Sequence, residues 1–238
     1  MLEVHVSVQK FTISKNESVW FLFPDRTTPG LVALPSNRTK RLMADRYTEV
    51  LLRERYTAFR TFYMSGMTHA RELGVRLPNM PEDVSENIIK FVVRNHVGAE
   101  AHWARHIGKP GDLWSPTEKV VESKCFMSDG PCSFGPDKLW DVIYFLDLRK
   151  WVEDEIVVYR CTLSPRDEAW QNIRMSKKET WKNQVDVGRR PHIVWNTLYP
   201  QIAHSCAEVY RGPFEGIFAR RLAINSTTGT DTALPASA

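Results

Sequence analysis

Five consecutive apolar residues, Val142-Ile143-Tyr144-Phe145-Leu146, constrain this chain more than any other stretch. Successive side chains on a strand point to opposite faces, so a strand half open to water alternates apolar with polar residues. A run without alternation, far shorter than the roughly 20 residues of a membrane span, marks a strand covered on both faces. Such a strand needs one layer of structure above it and another below. The chain has the material for both: 42% of its 238 residues are hydrophobic, with 8 Trp, 7 Tyr and 11 Phe.

The flanking segments supply the layers. From Thr39 to about Leu73 there is no Pro and one Gly, and Met43, Tyr47, Val50, Leu51, Ala58 and Phe62 recur at spacings of three and four. That pattern predicts an amphipathic helix or a pair of helices, broken near Gly66. Pro81-Glu82-Asp83 announces a second helix, with proline at its start and acids at the positive end of its dipole. Val84, Ile88, Ile89, Phe91, Val92 and Val93 leave that helix almost no polar face, which places it against a sheet. Val120 and Val121 lead into a strand Glu122–Phe126, and Ile156–Cys161 is the strand after the central one. Helical patterns resume at about 176–187 and 197–210. Helices before and after a central set of strands predict an α/β (α+β) domain with a mixed sheet flanked by helices, over residues 40–224. Residues 1–39 read as a strand (Val4, Val6, Val8) and an irregular Pro/Gly-containing segment, and 225–238 as a disordered polar tail.

Charge and cysteine usage exclude several classes. Lys and Arg number 32 against 28 Asp and Glu, a net +4 that permits nucleic acid as a partner without requiring it. No segment suits a membrane span, and the N-terminus lacks the pattern of a secretory signal. Cys125, Cys132, Cys161 and Cys206 are unevenly spaced with no CxxC pair. Reduced thiols in a cytoplasm are therefore expected, and zinc is not. His102 and His106, four apart, share a helix face in principle, but no third ligand accompanies them.

The chemistry concentrates in Pro110-Gly111-Asp112, nine intervening residues, then Glu122-Ser123-Lys124. Glu122 and Lys124 project from the same face of their strand. A hairpin between Asp112 and that strand brings two carboxylates and one ammonium together. Two adjacent acids repel unless a cation lies between them, and a carboxylate pair with retained waters suits Mg²⁺. Lys124 is then placed to hold or deprotonate a water, or to neutralise charge on a phosphate. The plainer reading makes Glu122 and Lys124 a solvated pair on an ordinary strand.

At these residues the sequence resembles the PD-(D/E)xK nuclease superfamily, with Asp112, Glu122 and Lys124 on its three motif positions. The usual proline directly before the aspartate is displaced, the order here being Pro110-Gly111-Asp112. The resemblance is strongest over about 80–165 and is most like a type II restriction endonuclease. It implies a restriction-endonuclease-like fold and sequence-specific, Mg²⁺-dependent hydrolysis of double-stranded DNA by a homodimer. Asp112 and Glu122 hold the metal in that reading, with Glu86 assisting from the second helix. The alternative for Glu86 is an ordinary salt bridge. A nonspecific, repair or RNA-cleaving nuclease of the same fold, or a noncatalytic DNA-binding protein, are the competing functions.

Two further segments are candidates for DNA contact. Lys177, Lys178, Lys182, Arg189 and Arg190 with His192 form a basic stretch carrying Trp181, although many such runs are solvated helix faces. The stiff loop Ser128–Pro136, containing Ser128 and Ser133, follows the ExK strand and enters a groove or serves as a turn. Its Asp129 reads as turn chemistry.

Overall fold

The structure is a computed structural model and describes residues 6–14, 17–24 and 47–220. The expected irregular segment after Pro24, the helix start with Met43, and the tail 225–238 lie outside the described residues. The chain divides into two units, Met1–Asn37 and Arg38–Ala238. In the first, β1 (Val6–Ser14) and β2 (Glu17–Pro24) pair antiparallel, with Val6 opposite Pro24.

The second unit begins with α1 (Glu49–Leu73). The Thr48 side chain accepts from the Leu51 N–H at its start, and Gly74 closes it at φ 64°. The helix runs unbroken through Gly66, contrary to the expected break. One interior glycine costs only about 1 kcal/mol. Burial of Leu52, Tyr56 and Ala70, with Phe59 and Tyr63 packed on Trp151, outweighs it. Next comes α2 (Glu82–Val92), buried continuously from Val84 to Lys90 and extended by a π-turn over Val93–Val97. Then follow β3 (His102–Trp103), α3 (Ala104–Ile107), β4 (Leu113–Ser115), β5 (Lys119–Phe126), β6 (Pro131–Ser133), β7 (Val142–Asp147) and β8 (Ile156–Cys161). The chain continues as α4 (Glu168–Gln171), α5 (Trp181–Asp186), β9 (His192–Val194), α6 (Trp195–Ile202) and β10 (Cys206–Gly212).

Six strands form the central sheet in the order β10-β8-β7-β5-β4-β3. The β5–β7 pair is parallel and the others antiparallel, so the sheet is mixed. All six residues of β7 are buried. Val142, Tyr144 and Leu146 face one core with α1 and α2, while Ile143 and Phe145 face a second core. That second core holds Phe134 and Trp140 from the loop between β6 and β7, and Trp170, Trp181, Trp195 and Leu198 from α4, α5 and α6. The unbroken apolar run thus has its two covering layers, the α/β (α+β) arrangement expected.

Two expected helices are shorter than their sequence patterns. In 176–187 the helix is confined to Trp181–Asp186, because Thr180 and Asn183 form a capping box that fixes its start. In 197–210 the helix ends at Ile202, and Cys206–Gly212 is an edge strand paired with β8.

Candidate active site

The β4–β5 hairpin builds the site. Gly111 precedes β4 with φ +86°, and an added Cβ would lie 2.8 Å from the Val121 carbonyl oxygen. The chain therefore hugs β5, and the Asp112 N–H donates to that same carbonyl at 3.0 Å. Proline holds φ near −65°, so it cannot stand at this position. The displacement of proline to residue 110 has this backbone cause.

Asp112 is buried, and its Oδ2 accepts from both the Ser123 N–H and the Ser123 hydroxyl at 2.9 Å. Glu122, only 1% exposed, meets Lys124 Nζ at 2.6 Å through Oε1, as two same-face residues should. Lys138 Nζ reaches both acids, 3.5 Å from Glu122 Oε2 and 3.8 Å from Asp112 Oδ1. From α2, Glu86 adds a third buried carboxyl. The Trp103 indole N–H donates to its Oε2, and Arg105 lies 3.9 Å from its Oε1. Burial, followed by the nearby Asp112 charge, pushes Glu86 up to about 7.

That raised value fixes the sign of a pH effect. Between the ordinary carboxylate range and about pH 7 the unfolded chain releases the proton first, so stability falls as pH rises. Above that window the whole penalty is present. Glu86→Gln in EDTA is therefore expected to raise Tm at pH 8, by up to about 3 kcal/mol of stability, and to change little at pH 4. Thermal melts at the two pH values check this, and equal effects at both would contradict it.

These groups line a cleft of about 730 Å³, which also takes in Ser128, Ser133, Arg190, His192, Arg76 and Arg105. Ser133 and His192 sit opposite each other in the β6–β9 ribbon. The other basic candidates lie outside the cleft lining. Lys182 pairs with Asp186 and Arg189 with Glu179, each at 2.6 Å, whereas Lys177 and Lys178 are simply exposed. Asp129 turns to Arg149 at 2.7 Å, and His102 to Glu100 at 2.7 Å. Sequence reasoning missed Lys138, Trp103, Arg76 and Arg105. For Lys138 the available signal was the Gly135-Pro136 turn, which folds the following residues back toward the ExK strand.

Among the described residues no group of three or more His, Cys, Asp or Glu is arranged to hold a metal ion. A pair suffices for one ion type: Mg²⁺ uses one or two carboxylates and keeps several waters. Asp112 and Glu122 fit that donor set, since a single ammonium already bridges them.

Comparison with known proteins places this geometry in context. The Bsp6I restriction endonuclease family matches residues 51–198, more than half of the chain, and every residue that lines the cleft falls within that span. The chain belongs to the Bsp6I restriction endonuclease family. Membership makes it an endodeoxyribonuclease, a hydrolase with a restriction-endonuclease fold around the mixed sheet. No curated protein and no solved structure matched the chain. No helix among the described residues is long and apolar enough to cross a membrane.

Proposed function

We propose that this Bsp6I-family endonuclease cuts double-stranded DNA at a defined sequence with Mg²⁺ at Asp112 and Glu122. The observation that carries the reading is that Asp112 and Glu122, the latter holding Lys124, line one cleft close enough for a single ammonium to reach both. Magnesium, when bound, supplies a Lewis acid for a phosphoryl oxygen and lowers the pKa of a coordinated water.

The chain's own residues do the rest. Ser123 pins Asp112 through two hydrogen bonds, so the carboxylate keeps one orientation. Lys124, held on Glu122, orients the attacking water and neutralises charge growing on the phosphate. Glu86 assists at the cleft wall. Arg190, His192, Ser128 and Ser133 contact the DNA within the cleft, and Lys177, Lys178, Lys182 and Arg189 attract its backbone from farther out. Cutting both strands of a symmetric site calls for two copies of one centre, so the enzyme acts as a homodimer. Its four free cysteines suit a reducing cytoplasm.

Incubation with supercoiled plasmid tests this. Discrete fragments with Mg²⁺ and intact plasmid with EDTA are expected. A smear would overturn the sequence specificity, and equal cutting in EDTA would overturn the metal requirement.

A further inference from the structure

Lys138 belongs to none of the motifs in the sequence, yet it lies at the centre of the acid pair. Its backbone N–H donates to the Gly135 carbonyl at 3.3 Å. Its stem lies back across that glycine: a Cβ at 135 would sit 2.9 Å from Lys138 Cγ. Glycine thus leaves the groove along which the ammonium reaches Glu122 and Asp112.

Asp112, Glu122, Lys124 and Lys138 together carry no net formal charge, so a dication approaches a site already neutralised. The two lysines are held differently. The Lys124 side chain is 19% exposed, 2.6 Å from Glu122 and 5.4 Å from the Phe134 ring centre. The Lys138 side chain is 49% exposed and makes the longer contacts. Like charges repel at this range, and Lys138 has water on its free side to move into.

We infer that Lys138 is the resident counterion of the carboxylate pair, which neutralises it in the metal-free enzyme and leaves when a divalent cation enters. The inference rests on the reading that Asp112 and Glu122 hold the metal. Lys138 is then a positioning residue that competes with the cation and sets its affinity. Once displaced, its ammonium faces the same cleft as the DNA phosphates.

Titration of the full-length protein with Mn²⁺, with the free ion counted by its solution EPR signal, tests this. Lys138→Gln is expected to bind Mn²⁺ on the order of tenfold tighter than wild type, because one like charge near the ion is gone. Gly135→Ala, which pushes the Lys138 stem aside without removing its charge, should also tighten binding. Lys138→Arg keeps the cation and should stay near wild type. In EDTA, Lys138→Gln should melt below wild type, and saturating Mn²⁺ should erase that difference. A purely structural lysine would not reverse in this way. If Lys138→Gln binds Mn²⁺ no tighter than wild type while Glu122→Gln has lost it, the counterion role is wrong and the metal assignment stands. If Glu122→Gln binds Mn²⁺ like wild type, both fall.

Discussion

Lys124→Ala is expected to lower DNA cleavage by roughly a hundred- to ten-thousand-fold, the range for losing a positioned group in proton transfer. DNA binding should change little. Lys124 is mostly buried beside Glu122 and Phe134 in the cleft lining, whereas Lys177 and Lys178 are exposed and lie outside it. Removing it also strips Glu122 of its nearest cation, leaving Lys138 at 3.5 Å to neutralise that carboxylate. A melt and a gel shift separate the effects: a folded variant that still shifts DNA but does not cut it is the expected result. Cutting near the wild-type rate would remove Lys124 from the chemistry.

Gly111→Ala is the second large effect. At φ +86° an L-residue is strained, and its Cβ would meet the Val121 carbonyl oxygen at 2.8 Å and Val120 Cγ1 at 2.9 Å. Strain and clash together should destabilise the fold by on the order of 3 kcal/mol. The chain relieves the clash by lifting residue 111 away from β5, which breaks the bond from the Asp112 N–H to Val121 and carries Asp112 with it. Cleavage should therefore fall even at temperatures where the variant is fully folded. Pro110→Ala provides the comparison, and wild-type cleavage by folded Gly111→Ala would show that the tight approach of the hairpin does not set Asp112.

The features legible in the sequence were those carried by local pattern. The apolar run at Val142–Leu146 revealed a strand between two layers because side-chain alternation needs no knowledge of partners. Glu122 and Lys124 were readable for the same reason. The edge strand Cys206–Gly212 was not. A register shift between Glu208 and Tyr210 interrupts its alternation, and its exposed Ala207 and Glu208 look no different from a helix face. Lys138 was hidden because the Gly135-Pro136 turn signals a reversal but not its target, and its role depends on that turn returning the chain to β5, where the Asp141 N–H donates to the Val120 carbonyl. The fold divides the basic stretch in a way its composition does not show. Its two acids, Glu179 and Asp186, each tie up one of its cations, and only Arg190 and His192 bend into the cleft lining.

The most direct measurement is an anomalous difference map from a crystal of the enzyme grown with Mn²⁺. The expected result is a peak coordinated by carboxylate oxygens of both Asp112 and Glu122, with waters completing the shell and Lys124 still on Glu122. A peak bound elsewhere, with none between these two carboxylates in an enzyme that cuts DNA under the same conditions, would contradict the assignment.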